Sequence, residues 1–332
     1  EGQMAGGPMY VLERGMNARW LGWIFAFLTA VSAFGIGNMV QANSISGLVK
    51  ETFAISPWIT GAVITLLTAV VILGGIRSIA NICEKLVPFM AILYVLGCLL
   101  LLFINYASVP DTIVLIFKSA FSGHAALGGF LGVGMKEAIR FGVARGLFSN
   151  ESGLGSAPIV AAAAQTKNPV RQALVSSTGT FWDTVVIGLL TGLVLVNSHE
   201  WTTGLKGAAL TRAAFSDIKY LGPIVLNIGL LTFVFSTILG WEYYGEKAVE
   251  YLFGPRSVMP YRVLWVIAVM VGSMVSLKAV WDFADIANGL MAIPNLISLL
   301  MLSGVVVAES RKYLWDNQLD LEGDALNDRC QT

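Results

Sequence analysis

The residues best suited to bind a small polar solute lie in one stretch, Gly146-Leu-Phe-Ser-Asn-Glu-Ser-Gly-Leu-Gly-Ser156. Most of them are Gly, Ser or Asn, which are poor helix formers and adopt turn conformations readily. A helical pattern precedes this stretch from Met135 to Phe148, and another follows it from Ala157 to Gln165. The sequence therefore predicts two half-helices joined by an unwound linker.

An unwound linker at membrane depth leaves backbone amides and carbonyls free, which is tolerable only where they are buried in protein or line a wet cavity. Transporters use such breaks to surround a substrate and an ion. The candidate substrate contacts here are Asn150, Glu151, Gly153, Leu154 and Gly155. Loops are also rich in Gly, Ser and Asn, so a loop between two short helices on the membrane surface is the alternative.

Glu151 is the only carboxylate in this stretch. Acids inside a membrane often mark ion paths, and in that role Glu151 would couple to a cation or a proton. Alternatively, it holds the break together by pairing with Arg145 or Arg140, which is the interpretation we favour.

Phe34, Asn38 and Gln41 are further candidates for substrate binding, and their spacing places them on one face of the first apolar segment. Amides inside hydrocarbon need partners, and such groups often line a pathway. The alternative is that they join neighbouring helices, which is a common use of Asn and Gln in membranes.

Ser236 and Thr237 lie midway along a later apolar segment, and Trp241 follows Thr237 by one turn. Neutral oxygens suit sodium, a hard cation, so the two hydroxyls are candidate sodium ligands. Ser and Thr more often bond a carbonyl of their own helix. Trp241 either walls a substrate pocket or anchors the helix at the membrane interface.

The composition decides which elements must position these residues. The chain has 332 residues, of which 56% are hydrophobic and 13% charged, whereas a soluble domain carries about 25% charged residues. Its solvent must therefore be partly lipid, and we predict an all-α integral membrane protein. Basic and acidic residues are equal in number, so nothing indicates a nucleic-acid partner. The spacing of Cys83, Cys98 and Cys330 fits neither a disulfide framework nor a zinc site.

Eight transmembrane segments are predicted, and the broken stretch is one of them. The other seven are Leu21–Ile45, Pro57–Ile76, Val87–Ile104, Ala173–Val196, Leu221–Trp241, Tyr261–Val280 and Ile286–Ala308. Residues 1–308 thus form a transmembrane domain, and residues 309–332 form a polar C-terminal tail.

Lys and Arg residues near the segment ends predict the orientation, because they are more frequent on the cytoplasmic side. The larger set comprises Arg14, Arg19, Arg77, Lys85, Lys167, Arg171, Lys247, Arg256, Arg262, Arg311 and Lys312. The smaller set comprises Lys50, Lys118, Lys206, Arg212, Lys219 and Lys278. The larger set, and with it the tail, is predicted to be cytoplasmic. This alternation requires the Gly-rich segment to cross the membrane once.

Several motifs together resemble the alanine or glycine:cation symporter family, in order and over nearly the whole chain. They are Gly6-Gly-Pro-Met-Tyr10, Phe34-Gly-Ile-Gly-Asn-Met-Val-Gln41, Ala144-Arg-Gly-Leu-Phe-Ser-Asn-Glu-Ser-Gly-Leu-Gly-Ser-Ala-Pro158, Pro169-Val-Arg-Gln172, Thr178-Gly-Thr-Phe181, Phe235-Ser-Thr-Ile-Leu-Gly-Trp241, Tyr243-Tyr-Gly-Glu-Lys247, Trp281-Asp282 and Asn288-Gly-Leu-Met-Ala-Ile-Pro-Asn295.

The resemblance implies a leucine-transporter-like fold, in which two five-helix repeats have opposite topology and the first and sixth helices are broken. The chain would then be N-terminally truncated, beginning just before the third core helix. The resemblance also implies symport of alanine, glycine or a similar amino acid with sodium across the plasma membrane of a bacterium or archaeon, with no cofactor besides the co-transported Na⁺. It places Asn38 beside the substrate and hydroxyls such as Ser236 and Thr237 at a sodium site.

Other classes of membrane protein fit the sequence less well. A serine-type intramembrane protease needs a GxSG motif and a histidine within a span, and an aspartyl type needs a GxGD motif; the chain has none of these. A channel or a non-transporting membrane subunit remains an alternative, because composition does not separate these from carriers. A carrier encloses a small polar pocket, whereas a channel needs a continuous wet pore.

Overall fold

A computed structural model describes residues 5–121, 130–164, 166, 168–205, 207–216, 218, 221–275, 277–315 and 319. Every regular element in these ranges is helical. The helices are α1 (Arg19–Phe53), α2 (Pro57–Leu73), α3 (Gly75–Ile104), α4 (Val109–Phe121), α5 (Phe130–Asn150), α6 (Ala157–Ala161), α7 (Pro169–Asn197), α8 (Ala208–Phe215), α9 (Leu221–Phe253), α10 (Val258–Met274), α11 (Leu277–Met301) and α12 (Ser303–Ser310). Two helical turns, Pro8–Tyr10 and Val11–Gly15, precede α1.

Six of the described helices are long and apolar enough to cross a membrane. They are α1, α3, α7, α9, α10 with the turn before it, and α11. The apolar α2 has 17 residues and is slightly shorter. These seven helices correspond to the seven apolar segments that the sequence predicted, and the molecule is a multi-pass helical membrane protein. The Gly-rich eighth segment is too polar to be recognised by its apolar content.

Helices α1 and α9 form the centre of the molecule. Helix α10 packs against α1 and α2, α11 packs against α1, and α3 packs against α9. Phe25 and Ile36 of α1, Ile238 of α9 and Trp265 of α10 belong to one buried core. Large apolar side chains cover the outer faces of the same helices, such as Leu66, Phe103 and Leu300. An apolar surface of this extent suits contact with lipid tails.

Helix α1 contains a π-helical turn at Phe34–Met39, in which each turn holds one residue more than in an α-helix. The side-chain amide of Gln41 donates to the carbonyl of Ile36 at 2.9 Å and so satisfies one carbonyl of the widened turn. Turns of this kind occur frequently at functional sites. This one brings Gly37 against α9.

The predicted C-terminal end of the segment Tyr261–Val280 is wrong. Helix α10 ends at Met274, and Val275 is extended. Two polar side chains of α1 terminate the helix. Asn43 donates to the carbonyls of Gly272 and Val275 at 3.0 and 2.6 Å, and Ser46 donates to that of Ser273 at 2.9 Å. These bonds satisfy carbonyls that a helix leaves unpaired at its end.

Three other boundaries also differ from the prediction. Helix α11 begins at Leu277, so the charged residues expected to precede the last span are helical. Helix α3 begins at Gly75, so it includes the polar residues Arg77–Lys85, which precede the predicted segment Val87–Ile104. Residues Glu309–Trp315 continue the helix from α12, and the rest of the predicted tail lies outside the described residues except for Leu319. Lys167, Lys206, Lys219 and Cys330 also lie outside them.

Charged residues gather at both ends of the bundle. At one end Tyr251 donates to Glu13 at 2.7 Å, and Arg262 lies beside Gly75 at the start of α3. At the other end Arg212 donates to the carbonyl of Glu51 at 2.7 Å. The first end carries residues of the larger Lys and Arg set, and the second end carries residues of the smaller set.

We expect Asn43→Ala to destabilise the protein by about 1 kcal/mol, because it leaves two carbonyls at the end of α10 without a donor. The measurement is the free energy of unfolding in a mild detergent. Ser44→Ala is the matched control, since among the described residues the Ser44 hydroxyl bonds only to Val40 of its own helix, and its effect should stay within about 0.5 kcal/mol. Equal effects of the two substitutions would contradict the proposed role of Asn43.

Candidate functional site

The predicted break is present, and it is shorter than expected. Residues Gly146–Asn150 still belong to α5, the chain is unwound from Glu151 to Ser156, and α6 begins at Ala157. The backbone turns through left-handed conformations at Glu151, Gly153 and Gly155, whose φ angles are 57°, 80° and 91°. Helix α6 ends at Ala161, earlier than the predicted Gln165, which lies outside the described residues.

Side chains on three elements hold the break in shape. The Asn150 carboxamide accepts from the amide of Ser152 at 3.0 Å and donates to Thr184 of α7 at 3.2 Å. From α11, the Asn295 amide donates to the carbonyl of Gly153 at 2.9 Å. Gly155 is tightly packed, because a Cβ there would lie 2.8 Å from Pro8 and 2.9 Å from Phe25 and Asn295. The break is therefore a built structure with fixed partners.

Glu151 is the first residue of the break. Its Oε2 accepts a hydrogen bond from Ser156 at 2.6 Å, and Trp241 of α9 approaches the same carboxyl as a donor. The predicted pairing with Arg145 or Arg140 is wrong. The chain leaves the α5 helix at Glu151, so this side chain does not continue the helix that carries the two arginines.

The two arginines have other partners. Arg145 forms an ion pair of 2.5 Å with Asp285 of α11 and lies 4.3 Å over the ring of Trp281. Arg140 pairs with Glu137 at 3.1 Å, one turn away on α5. Arg145 therefore attaches α5 to α11, close to the break but outside it.

Trp241 packs directly on Gly37, where α9 crosses the π-helical turn of α1. A Cβ added at Gly37 would lie 2.0 Å from Cβ and 2.3 Å from Cγ of Trp241. Trp241 is almost completely buried, and its ring meets that of Tyr244 at 5.2 Å. Because Gly37 has no side chain, the indole lies between α1 on one side and Glu151 on the other.

The contacts of Phe34, Asn38 and Gln41 are with residues outside the break. Asn38 is completely buried and donates to the carbonyl of Trp265 at 2.9 Å, while its Oδ1 has no hydrogen-bond partner among the described residues. The ring of Phe34 packs against Tyr261 and Trp265. The structure therefore places Phe34 and Asn38 against α10, and Gln41 against its own helix.

Ser236 and Thr237 lie on α9 just before Trp241, and both donate to the carbonyl of Phe233 at 2.9 Å. Ser236 also contacts the sulfur of Met90 on α3. Thr237 precedes Trp241 by one turn, so the two share a face of α9. A hydroxyl that donates its hydrogen keeps oxygen lone pairs, so both residues remain able to bind a cation.

A cleft of about 450 Å³ lies between the break and α7. Its lining includes Asn150, Glu151, Gly153 and Gly155, so four of the five residues predicted in the break meet at one cavity. Leu154, the fifth, is buried in the hydrophobic core. No hydrogen bond in the described part of the chain uses the amide of Gly153 or Gly155.

Three residues of the site were not singled out from the sequence, namely Gly37, Ser156 and Asn295. Gly37 was part of a quoted motif, but its contact with Trp241 joins residues about 200 positions apart. Asn295 follows a proline inside an apolar helix, and an amide in such surroundings is a signal for a buried partner. Ser156 was interpreted only as the start of a helix.

Comparisons with known proteins identify relatives over nearly the whole chain. The Sodium:alanine symporter family matches residues 1–325. The "Sodium/alanine symporter AgcS" of Methanococcus maripaludis is 50% identical over 320 residues, which cover 94% of this chain and 70% of that protein. An "Uncharacterized transporter" of Haemophilus influenzae is 49% identical over 316 residues, covering 94% and 69% respectively.

The name of a more distant relative gives a different substrate. The "Probable sodium/glutamine symporter GlnT" of Bacillus subtilis is 36% identical over 311 residues, which cover 93% of this chain and 64% of that protein. These relatives are transporters and not enzymes. The match over residues 1–325 places this chain in the sodium:alanine symporter family.

Proposed function

We propose that the protein carries a small neutral amino acid, alanine or glycine, across the plasma membrane of a bacterium or archaeon together with Na⁺. Membership of a cation-coupled amino acid symporter family supports the reaction class. The observation that carries the proposal is the unwound segment from Glu151 to Ser156. The carboxyl of Glu151 lies beside Trp241, whose side chain packs on Gly37.

The chemistry of the break matches an amino acid. The amides of Gly153 and Gly155 are available to a carboxylate, and the end of a half-helix adds a favourable dipole. Carbonyl and side-chain oxygens, with the Glu151 carboxyl among them, suit an ammonium group. An amino acid presents one group of each kind.

The room beside Trp241 favours a small side chain. The indole of Trp241 lies between Gly37 and the carboxyl of Glu151. Its contact with α1 at Gly37 fixes its position. A bulky substrate would have to displace the indole. Alanine or glycine is therefore favoured over larger amino acids such as glutamine, which the name of the Bacillus relative gives as its substrate.

Sodium would bind at the oxygens of Ser236 and Thr237, with further oxygen ligands from outside this stretch. Both hydroxyls lie on α9 within one and a half turns of Trp241. A cation there would be adjacent to the substrate and would complement its carboxylate. No cofactor is needed, because Na⁺ acts as the co-transported ion.

The packing suits alternating access within a leucine-transporter-like inverted-repeat fold. Helices α1, α2, α9 and α10 form a tightly packed group, in which Asn38, Asn43 and Ser46 join α1 to α10. Helix α5 instead packs mainly on the Phe181–Gly188 part of α7. Polar links such as Arg145 to Asp285 and Asn295 to Gly153 connect the break to α11. The α5–α7 group would rock against the tightly packed group, with the site between them.

We expect Gly37→Ala to lower sodium-dependent alanine uptake about tenfold or more, because the new methyl group must displace Trp241 from the break. The measurement is uptake into proteoliposomes that contain the full-length protein. Gly47→Ala is the matched control on the same helix, since a Cβ there meets no atom within 4 Å. Equal uptake by the two variants would remove the reason to place the substrate beside Trp241.

We expect Thr237→Ala to raise the Na⁺ concentration for half-maximal uptake about tenfold, since it removes one oxygen ligand. Thr237→Ser keeps the oxygen and should restore the sodium response. Thr232→Ala is the control, because Thr232 lies on the same helix and its hydroxyl bonds, in the described part of the chain, only to Ile228 and Gly229. An unchanged sodium dependence in Thr237→Ala would exclude Thr237 as a ligand. Solute flux without sodium dependence would favour a channel.

A further inference from the structure

Helices α9 and α10 bury three ionisable side chains outside the proposed substrate site. Glu242 and Glu246 lie one turn apart on α9, and Arg262 faces them from α10. The Glu242 side chain has 0% exposure, and the side chains of Glu246 and Arg262 have 8% and 13%. Charged groups in the interior of a membrane protein are costly and commonly have a function.

The guanidinium of Arg262 forms its close ion pair with Glu246. Its Nε and Nη2 atoms lie 2.8 and 2.7 Å from Oε2 of Glu246, which is a paired, charge-assisted contact. Glu242 is only at the margin of this ion pair, with Oε1 at 3.6 Å from Nε of Arg262. Neither oxygen of Glu242 has a hydrogen-bond partner among the described residues.

Among the described residues, Arg262 is the only positively charged group that faces Glu242. In the described part of the chain, the ionisable groups that face it are Glu246 on its own helix and Arg262 and Tyr261 on α10. Tyr261 donates its hydroxyl to the carbonyl of Ala30 on α1. The start of α3 presents Gly75 to the outer side of Arg262. Two carboxyl groups therefore lie beside one guanidinium, and only Glu246 is hydrogen-bonded to it.

A proton satisfies this arrangement better than any other ligand. An ionised and unpartnered carboxylate is very costly in the interior, whereas a neutral carboxyl group costs far less and gains an O–H donor. The carboxyl groups of Glu242 and Glu246 approach the same Nε atom of Arg262, at 3.6 and 2.8 Å, so they are neighbours beside one guanidinium. A metal cation at Glu242 would be repelled by the guanidinium, whose Nε lies 3.6 Å from Oε1 of Glu242.

We propose that Glu242 is a proton-binding site, distinct from the sodium and substrate sites. The folded protein holds a proton on Glu242, which donates it in a hydrogen bond to Glu246 while Glu246 keeps its ion pair with Arg262. When the proton leaves for water, an unpaired negative charge remains between α9 and α10. The packing of these two helices therefore depends on pH, whichever amino acid the protein carries.

The test compares the unfolding temperature of the wild type with that of Glu242→Gln from acidic to alkaline pH, in full-length protein in lipid nanodiscs. Gln imitates the protonated carboxyl and has no proton to lose. The folded wild type binds a proton that the unfolded chain releases, so its stability falls as the pH rises. We expect equal unfolding temperatures at acidic pH and an advantage of several degrees for Glu242→Gln at alkaline pH.

Two further variants make the comparison specific. Glu246→Gln removes the partner of Arg262 and should lower the unfolding temperature over the whole pH range. Glu84→Gln changes an exposed glutamate of α3 and should have no effect at any pH. In the wild type, infrared spectroscopy should detect the carbonyl band of a protonated carboxyl group, which Glu242→Gln should lose and Glu84→Gln should keep.

Other outcomes overturn the proposal. If Glu242→Gln is destabilised at every pH in the same way as Glu246→Gln, Glu242 is an ionised partner of Arg262. If replacing K⁺ by Na⁺ at constant ionic strength stabilises the wild type but not Glu242→Gln, the ligand is a metal cation. Glu242→Met, which is uncharged and similar in size, is the second variant. Failure of both Glu242 variants to fold, while Glu84→Gln folds, shows that the charge itself is required.

Discussion

The close crossing of α1 and α9 at Gly37 and Trp241 determines how the other parts of the site are arranged. Any side chain at Gly37 would occupy the space of the Trp241 side chain, so the two helices can approach this closely only with glycine at that position. The indole is thereby fixed beside Glu151, and the unwound segment is given a rigid wall. Without this contact the break would still have partners on α7 and α11 and the packing of Gly155 on Pro8 and Phe25, but no wall at Glu151.

Polar side chains of α1 extend the same organisation along α10. Asn38, Asn43 and Ser46 all donate to backbone carbonyls of α10 or of the residue that follows it. Hydrogen bonds of this kind join helices where lipid provides no hydrophobic driving force between them. The central group of helices thus combines apolar packing with backbone clamps, and the break is attached to it by fewer contacts.

The sequence predicted the helical class, the seven apolar helices and the presence of the break, because each of these follows from local composition. It did not predict where α10 ends, since that depends on Asn43, which lies more than 200 residues away. The partner of Glu151 was also mispredicted. The sequence suggested the nearby arginines of α5, whereas a left-handed turn at Glu151 directs its side chain to Ser156. Interactions set by tertiary contacts are beyond the reach of periodicity.

The π-helical stretch Phe181–Gly188 in α7 separates two parts of that helix with different neighbours. Before it, Ser176 and Ser177 line the cleft beside the break. After it, Thr191 bonds to Tyr94 of α3 at 2.8 Å. The wider turns rotate the later part relative to the earlier one by about one residue. The two parts of this continuous helix therefore contribute to two surfaces, the cleft and the contact with α3, and each part has its own helical register. Substitutions in the lining of the cleft can then occur without changing the contact with α3.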